Sequence, residues 1–455
     1  MEIMMGRLFG TDGVRGVANS ELTPQLAFEI GQAGAYVLTG EKGGKPKILV
    51  GKDTRISGGI LEAALVAGIC SVGAEAVLVG VLPTPAVAYL VRTHGYDAGV
   101  VISASHNSFE HNGIKYFSSE GYKLSDAIEE RIEAIILDHA EEVTCPTHEN
   151  IGHVSHAENL ARDYIDFAKG TIDCRLDGLR VAIDCANGAS SVTAKHALEE
   201  LGAEVLVLHD QPDGININAD CGSTHMESLM EFVKSSDVDA GLAFDGDADR
   251  VLAVDENGAY VDGDKIMAIC ALDMRERGLL PDNTIVATVM SNLGFFVMGE
   301  EQGLNIKRTK VGDRYVLEEM LRFGHKIGGE QSGHVILLEH NTTGDGLVTG
   351  LQLLSVLKRS GRKLSDLASV MQVYPQVLIN AKVKNEYKQE EKYMAFPEIR
   401  ETIARIEAEF ANSGRVLIRP SGTEPLVRVM IEGKDQALIR RRAEELAALM
   451  EEKLN

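Results

Sequence analysis

The chain has 455 residues, more than one ordinary hydrophobic core organises, so its length predicts three or four domains. Hydrophobic residues make up 44% of the chain and charged residues 25%, proportions that are typical of a globular enzyme. The formal net charge of −23 argues against a nucleic-acid partner, because most of the surface would repel a duplex. A small anionic substrate is not excluded, since it responds to the local field of a cleft.

The sequence contains no signal for a membrane or for export. No apolar run approaches the roughly 18–20 residues of a membrane span, and the first residues lack the basic start and apolar core of a secretory signal. We therefore expect a cytoplasmic protein with no membrane partner. The six cysteines form no Cys-x-x-Cys pair and have no histidines at zinc-site spacing, so reduced, buried thiols are expected. A homodimer is an expectation that the residues themselves leave open.

Apolar strands alternate with helical segments along most of the chain, which is typical of α/β layers with mainly parallel sheets. One pattern of three steps occurs at 48–105, 181–247 and 285–332. Its steps are a strand entering a Gly- or Asn-containing turn, a second strand after a helical segment, and a third strand ending in a polar loop. The pattern predicts three related α/β domains with mixed, mainly parallel sheets. The alternative is that three unrelated α/β domains share this rhythm.

The predicted domain boundaries follow these repeats. The three α/β domains are expected at 1–153, 154–254 and 255–372. Ligands bind at the carboxyl ends of strands in open α/β sheets, so the three polar loops are expected to face one central cleft. The part from 373 to 455 differs, with strands at 415–419 and 426–431 and an amphipathic helix at 435–453. It predicts a C-terminal α+β domain whose exposed feature is the loop 420–425.

The polar loop of the second copy contains Asp245, Asp247 and Asp249, separated by small residues. Carboxylates at alternate positions of a curled loop can reach one ion, and Mg²⁺ prefers such oxygen ligands. A calcium-binding EF-hand loop is the rival interpretation, but Arg250 stands at its sixth position, where the turn requires glycine. An acidic surface turn is the remaining alternative.

The polar loop of the first copy, 103–107, contains two serines. It has no Gly-x-Ser-x-Gly pattern, so acyl transfer is disfavoured. A phosphoserine here would supply an oxygen to the cation held by the aspartates, and the cation would offset its charge of roughly −2. A serine that only shapes the turn is the alternative.

Six motifs together carry a family resemblance, and they occupy 9–16, 103–107, 112–115, 245–250, 328–334 and 419–425. On them the chain resembles the α-D-phosphohexomutases along essentially its whole length, and most closely their bacterial phosphoglucosamine mutase branch. The resemblance implies a phosphomutase that interconverts glucosamine 6-phosphate and glucosamine 1-phosphate for UDP-N-acetylglucosamine synthesis. It implies a phosphoserine enzyme, one Mg²⁺ per active site, and a hexosamine 1,6-bisphosphate as intermediate and activator.

Three alternatives stay open beside this hypothesis. The first is the same reaction on mannose or glucose phosphates, although Gln331 favours glucosamine because relatives that act on neutral sugars often have methionine there. The second is a metal-dependent phosphatase that hydrolyses its phosphoserine. The third is a sugar-phosphate binder without catalysis, which is disfavoured because neither serine nor aspartate is missing.

The resemblance also implies roles for individual residues. Ser105, rather than Ser103, carries the phosphoryl group and joins the three aspartates around Mg²⁺. Arg15 and Lys115 lie beside the transferring group, and His334 lies near the sugar. The residues expected to bind substrate are Arg250, Gly312, Asp313, Glu330, Ser332, Arg419, Ser421, Gly422, Thr423 and Arg428.

One departure from the family pattern is Ala248, which stands where many members have glycine in the aspartate loop. The added methyl group is a small perturbation if the backbone at this position has a negative φ. The size of the perturbation therefore depends on the sign of φ at Ala248, and the departure does not change the assignment of the loop.

Overall fold

The computed structural model describes residues 7–10, 12–40, 45–157, 159–421 and 424–455, without the side chain at 412. The first sheet and its helices are formed by β1 (Val14–Val17), α1 (Pro24–Thr39), β2 (Lys47–Lys52), α2 (Gly58–Ser71), β3 (Glu75–Val81), α3 (Thr84–His94), β4 (Ala98–Ile102), β5 (His111–Ser118), α4 (Asp126–Leu137) and β6 (Val154–His156). The strand order is β1-β5-β4-β2-β3-β6.

The second sheet follows the same rhythm. Its elements are α5 (Leu160–Gly170), β7 (Arg180–Asp184), α6 (Ala194–Glu200), β8 (Glu204–Leu208), α7 (Glu227–Ser235), β9 (Ala240–Phe244), β10 (Val251–Asp255) and β11 (Tyr260–Val261). The strand order is β11-β10-β9-β7-β8.

The third sheet is shorter. Its region contains α8 (Gly263–Glu276), β12 (Thr284–Thr288), α9 (Leu293–Gln302), β13 (Asn305–Thr309), α10 (Asp313–Phe323), β14 (Ile327–Gly329), β15 (Val335–Leu337), α11 (Gly346–Ser360) and α12 (Leu364–Ala368). The strand order is β13-β12-β14-β15.

The three sheets share one internal topology. In each, the strand of the first step lies between those of the second and third steps and runs parallel to both, giving β3-β2-β4, β8-β7-β9 and β13-β12-β14. The third-step strand then pairs antiparallel with the next strand of the chain, as β4 with β5, β9 with β10 and β14 with β15. This confirms the prediction of related α/β units with mixed, mainly parallel sheets.

Two sheets extend past the predicted boundaries. Strand β6 pairs with β3, which carries the edge of the first sheet to His156, beyond the boundary placed after residue 153. Strand β11 pairs with β10, which carries the second sheet to Val261, beyond residue 254. Both strands are short pieces at a sheet edge, and a pattern of apolar residues identifies such pieces poorly. The domain boundaries as a whole stay a prediction.

The chain divides into two compact units, one running to Met290 with Leu304–Val370, the other formed by Ser291–Gly303 and Met371–Asn455. The second unit holds α9 and the C-terminal elements β16 (Gln376–Lys382), α13 (Glu390–Tyr393), α14 (Pro397–Phe410), β17 (Gly414–Pro420), β18 (Leu426–Gly433) and α15 (Gln436–Leu454). Its antiparallel sheet has the order β16-β18-β17.

Helix α15 covers this antiparallel sheet, as the predicted α+β domain requires. Asp435 caps its N-terminus by accepting from the backbone N–H groups of Ala437 and Leu438. The predicted apolar face is buried at Ala443, Leu446 and Met450, whereas Leu438 is only partly buried. Across the described part of the chain, no helix is long and apolar enough to cross a membrane.

Candidate active site

Ser105 lies in the loop 103–107 (the Ser105 loop), which follows β4. Its backbone has a positive φ of 52°, and its N–H donates to Ser103 Oγ at 2.9 Å. The Ser105 hydroxyl donates to Asp245 Oδ2 at 2.6 Å, although the residue is only 1% exposed. Nδ1 of His106 lies 3.2 Å from the same hydroxyl oxygen. Burial, with Arg250 and Arg15 nearby, lowers the pKa of His106 to about 4, so the imidazole is neutral.

Arg55 is the residue that shapes this loop, and sequence reasoning missed it. Its guanidinium is buried and donates from Nη2 to the carbonyl oxygens of Ser105 at 3.0 Å and Asn107 at 2.8 Å. Nη1 donates to the carbonyl of His111 at 3.0 Å, and Nε donates to Asp53 at 2.9 Å. A fork of donors on one rigid plane can hold several carbonyls at once. Arg55 therefore stabilises the strained conformation of Ser105 through the backbone carbonyls of the loop.

The three aspartates of the loop 245–250 (the aspartate loop) form the candidate metal centre. Their ligand oxygens lie within 4.8 Å of one another, and all three side chains are buried. Oδ1 of Asp247 and Oδ1 of Asp249 are buried without a hydrogen-bond partner among the described residues. Burial and the carboxylates of Asp249 and Asp247 raise the pKa of Asp245. Three crowded carboxylates with free oxygens fit a hard divalent cation that takes oxygen ligands.

Lys115 on β5 balances part of this charge. Its Nζ lies 2.9 Å from Asp247 Oδ2, 2.9 Å from Asp12 Oδ2 and 4.0 Å from Asp249 Oδ2. Burial lowers the pKa of Lys115, but the carboxylates of Asp12 and Asp247 outweigh burial, and the pKa is raised. Lys115 is therefore a buried cation next to the metal ligands.

Arg15 lies on β1, which pairs antiparallel with β5. One end of its guanidinium forms an ion pair with Asp12. Its Nε is buried and has no hydrogen-bond partner among the described residues. Arg15 thus keeps one donor available for an anion.

The acidic and basic side chains around the site form a closed ring of alternating groups, which we call the charge ring. Its members, in order, are Asp12, Lys115, Asp249, His334, Asp313 and Lys123. Nζ of Lys123 lies 2.6 Å from Asp12 Oδ1 and 2.6 Å from Asp313 Oδ2. The ring brings together residues that lie in or near strands of all three sheets. Sequence reasoning missed Asp12 and Lys123, although Asp12 lies inside the motif at 9–16.

His334, predicted to lie near the sugar, contacts two carboxylates of the charge ring. It is 3% exposed, with Nδ1 3.5 Å from Asp249 and Nε2 3.5 Å from Asp313. The backbone N–H of Gly344 also donates to Nε2 at 3.1 Å. Every polar atom of the imidazole already faces a protein group, so His334 connects the aspartate loop to α10.

The remaining predicted residues of this unit surround the ring. Gly312 has a φ of 123°, and its N–H donates to Glu330 Oε1 at 3.2 Å. Arg250 Nε lies 3.8 Å from Asp249 Oδ1, and Ser332 is half-buried in the loop after β14. Gln331 donates through its side chain to Asp262 at 3.1 Å, a contact that anchors its loop to the start of α8.

The condition for a small perturbation at Ala248 is not met, because its φ is +57°. An alanine in the left-handed region costs roughly 1–2 kcal/mol relative to the ordinary helical conformation. The aspartate loop therefore turns through a strained residue, in a position where glycine would fit without strain. Strain of this kind collects where a loop must place several ligands at once.

A cavity of about 420 Å³ opens beside the charge ring. Its lining comes from the segment 122–127, from α10, from Ile336 on β15 and from the loop residues Thr342 and Thr343, and it includes Lys123 and Asp313 of the charge ring. Neither Ser105 nor the aspartates line it, so it adjoins the site rather than containing the candidate nucleophile.

In the second unit, the predicted phosphate-binding arginines are direct neighbours. Arg419 on β17 and Arg428 on β18 are cross-strand partners, so their side chains start from the same end of the hairpin. Ser421 is 3% exposed, and its Oγ accepts from the backbone N–H of Glu424 at 3.2 Å. Gly422 and Thr423, the other predicted residues of this loop, lie outside the described residues.

Comparison with known proteins gives the chain its family. Four family models match in order: phosphoglucomutase/phosphomannomutase domain I at 6–143, domain II at 162–258, domain III at 262–374 and the C-terminal domain at 378–449. A phosphoglucosamine mutase of Acetivibrio thermocellus is 64% identical over 450 residues, 99% of this chain and 100% of the relative. One of Ruminiclostridium cellulolyticum is 63% identical over 451 residues, 99% and 100% of the two chains.

Solved structures agree on the fold. A phosphoglucomutase/phosphomannomutase family protein of Burkholderia thailandensis superposes with a TM-score of 0.79 at 24% identity, covering 99% of each chain. N-acetylphosphoglucosamine mutase of Aspergillus fumigatus, in complex with GlcNAc-6P and magnesium, has a TM-score of 0.70 at 16% identity, covering 99% of this chain and 96% of its own. With the identity over full length, these matches show that the chain belongs to the phosphoglucomutase/phosphomannomutase family, the α-D-phosphohexomutases.

Proposed function

We propose that the chain is a phosphoglucosamine mutase, which interconverts glucosamine 6-phosphate and glucosamine 1-phosphate. One observation carries the proposal: the buried hydroxyl of Ser105 lies 2.6 Å from Asp245, at the edge of a cluster of three carboxylates. The names of its full-length relatives, 58–64% identical, support glucosamine as the sugar. Cytoplasmic location and a homodimer stay predictions from the sequence.

The carboxylates are the proposed Mg²⁺ ligands, together with an oxygen of the phosphorylated Ser105. When bound, the cation would neutralise charge on the phosphoryl group and orient it. Asp247 and Asp249 each offer an unpartnered oxygen for this purpose, and Asp245 already touches the serine hydroxyl. Lys115 and Arg15 supply further positive charge where the transferring oxygens gather charge.

The proposed reaction consists of two phosphoryl transfers, one from Ser105 to the sugar and one from the sugar back to Ser105. The free hydroxyl of the sugar forms a bond to phosphorus as the bond from phosphorus to Ser105 Oγ breaks, which produces a 1,6-bisphosphate. The proton lost by the sugar hydroxyl balances the charge that appears on Oγ. The bisphosphate then presents its other phosphate to Ser105 and the transfer reverses. Burial of Ser105 disfavours hydrolysis, because a mutase must keep water from the phosphoserine.

The other predicted residues are proposed to hold the substrate. Glu330, Ser332, Gly312 and Asp313 would contact the sugar hydroxyls, and Arg250 the phosphate beside the aspartate loop. The phosphate that does not react would bind to the loop of the second unit, through Arg419, Ser421, Gly422, Thr423 and Arg428. Paired arginines next to a glycine-containing loop suit a phosphate dianion. His334 would act as a positioning residue, because its nitrogens already face Asp249, Asp313 and Gly344.

The assignment of the nucleophile is tested with Ser105→Ala. Mutase activity on glucosamine 1-phosphate with added bisphosphate should disappear, and intact mass of the purified wild-type chain should include a species heavier by one phosphoryl group. Ser108→Ala is the matched control, since this exposed serine lies in the same stretch of chain and should retain both properties. Undiminished turnover in Ser105→Ala would exclude Ser105 as the carrier.

The substrate is tested by comparing kcat/KM for the 1-phosphates of glucosamine, mannose and glucose. A preference for glucosamine supports the proposal, and a preference for mannose or glucose assigns the same site to the neutral sugars. Release of inorganic phosphate at a rate close to that of isomer formation would instead identify a phosphatase.

A further inference from the structure

A second group of metal-ligating side chains lies in the second sheet and contains no residue of the aspartate loop. Its members are Asp184, His209 and Cys221, and one ligand atom of each lies within 4.8 Å of the others. Asp184 ends β7, His209 directly follows β8, and Cys221 lies in the loop that returns toward α7. The carboxyl ends of β7 and β8, two parallel neighbours, therefore present the first two residues at one sheet edge, where α/β folds bind ligands.

The surroundings of this cluster are rigid. Asp184 accepts backbone hydrogen bonds from Ala186 at 2.9 Å and from Gly222 at 3.0 Å, which leaves the carboxylate in one orientation. Positive φ values are concentrated in the adjoining loops, at Ala186, Asn187, His209, Asn218 and Asp220. Each costs of order 1 kcal/mol or more, so the fold maintains this arrangement against strain.

The histidine nitrogen already faces the carboxylate of Asp184. Nδ1 of His209 lies 3.0 Å from Asp184 Oδ2 as an ion pair, and the histidine side chain is 32% exposed. Cys221 is fully buried and Asp184 is too. Two ligands at about 2.0–2.1 Å from a tetrahedral ion stand roughly 3.3 Å apart, so the ion-pair distance of 3.0 Å needs to widen only slightly to admit a cation.

The geometry points to a cation site: we propose that Asp184, His209 and Cys221 bind one divalent cation of borderline softness, such as Zn²⁺, with water as the fourth ligand. A thiolate, an imidazole and a carboxylate together select such an ion over Mg²⁺, which takes oxygen ligands. The aspartate loop offers only oxygen ligands and therefore prefers Mg²⁺. The two sites therefore take different ions.

The cation would brace the loop that supports the Ser105 loop. Between His209 and Cys221 lies Asn218, whose Nδ2 donates to the carbonyl oxygens of Ser105 and Asn107, each at 2.9 Å. A cation that joins both ends of this loop to β7 would hold Asn218 in place. Its role is structural, and it extends the function proposed above without being needed for it.

The sequence pattern did not reveal this cluster, because its three members stand far apart in the chain and belong to no zinc motif. Only the topology of the second sheet places them together. The competing interpretation is a plain ion pair of Asp184 with His209 beside a thiol that binds nothing.

Titration of the full chain with Co²⁺, in excess Mg²⁺ to fill the aspartate loop, distinguishes these interpretations. Wild type should develop a thiolate-to-cobalt charge-transfer band in the near ultraviolet that saturates at one equivalent, and Zn²⁺ should displace it. The band should be absent from Cys221→Ala and present in Cys185→Ala, a matched control because Cys185 is also buried and neighbours Asp184 without belonging to the cluster. Oxygen ligands at the aspartate loop give no such band.

Two further measurements keep the test decisive if one variant folds poorly. The affinity for Zn²⁺ should fall at least about 10-fold in His209→Ala, since even groups that only orient a ligand contribute that much. Circular dichroism melts of each variant report whether it is folded. Absence of the band in folded wild type, or its persistence in Cys221→Ala, would overturn the proposal.

Discussion

At the scale of single residues, the site depends on a buried arginine that contacts the backbone of the Ser105 loop. Arg55 lies behind the Ser105 loop and uses its whole guanidinium, donating to backbone carbonyls and to Asp53. Lysine carries the same charge but has neither the planar fork nor the number of directed donors. The charge of Arg55 is therefore less important than its shape.

We expect Arg55→Lys to lose about 3 kcal/mol of unfolding free energy, because two or more buried carbonyls lose their donors. The Ser105 loop should shift with them, so kcat should fall by at least about 10-fold while KM changes little. Thermal melts and steady-state kinetics measure both effects. Arg175→Lys is the control, since that exposed arginine pairs only with surface groups. Equal melting temperatures for the two variants would contradict the argument.

Gly246 illustrates a second constraint at this scale, the close approach of the aspartate loop to the Ser105 loop. A Cβ at this position would lie 2.6 Å from the carbonyl oxygen of Ser105 and 2.9 Å from Nδ2 of Asn218. We expect Gly246→Ala to push the two loops apart and to lower kcat by roughly 100-fold, the cost of about 1 Å of misplacement. Gly59→Ala, on the exposed side of α2 with nothing within 4 Å, should keep wild-type kcat. A retained rate in Gly246→Ala would show that the loops tolerate separation.

At the scale of elements, helix α4 holds the segment that leads to Arg15. Its buried Glu133 accepts from the backbone N–H groups of Arg7 at 2.9 Å, Leu8 at 2.6 Å and Phe9 at 2.6 Å. A carboxylate suits several converging donors, whereas a glutamine side chain offers one oxygen and turns an NH₂ group toward them. The positions of Asp12 and Arg15 therefore depend on helix α4, which lies on the other side of the same core.

We expect Glu133→Gln to lower the local opening free energy of residues 7–16 by about 2–4 kcal/mol, because hydrogen bonds to a charged acceptor are lost. Hydrogen exchange of these amides measures the change directly, and kcat should fall with it. Glu130→Gln on the exposed face of α4 should leave the exchange pattern as it is. Unchanged protection in Glu133→Gln would mean that packing alone holds the segment.

The sequence predicts the features that have local signals and misses those that depend on contacts between distant residues. Strand periodicity and turn residues identify the three repeats, and the common strand order confirms them, because period-two patterns and polar strand ends are local signals. The roles of Ser105 and the three aspartates came from the same local motifs together with the family resemblance. Neither Arg55 nor Lys123 has a local signal, since each becomes meaningful only when distant carbonyls or carboxylates are brought together.

Two features at this scale have no local sequence signal, for physical reasons. Ala248 adopts a positive φ because the aspartate loop must place three ligands, and a single sequence does not report backbone conformation at a small residue. The edge strands β6 and β11 lie beyond the predicted boundaries because short edge strands lack an alternating pattern. Sequence rules that use only neighbouring residues are weakest at functional loops and at sheet edges.

At the scale of the whole first unit, the charge ring connects the three sheets. Lys123 follows β5 of the first sheet, Asp249 follows β9 of the second, and Asp313 begins α10 of the third region. Alternating signs allow buried charges to offset one another, whereas any single removal leaves a neighbour uncompensated. The arrangement of the three α/β domains therefore depends on the same residues that surround the site.

This dependence predicts non-additive stability between Lys123 and Asp313, whose charged atoms lie 2.6 Å apart. Lys123→Met and Asp313→Asn should each destabilise the protein by about 3–5 kcal/mol, since each leaves a buried partner unpaired. The double variant should be less destabilised than the sum of the two, with a coupling of about 1–3 kcal/mol. Unfolding midpoints of the four proteins give this coupling. The exposed pair of Arg175 and Asp177, 2.8 Å apart, should show a coupling of no more than about 1 kcal/mol, because solvent screens it. Additive effects at Lys123 and Asp313 would mean that the ring is a coincidence of packing and that the sheets are held together by apolar contacts alone.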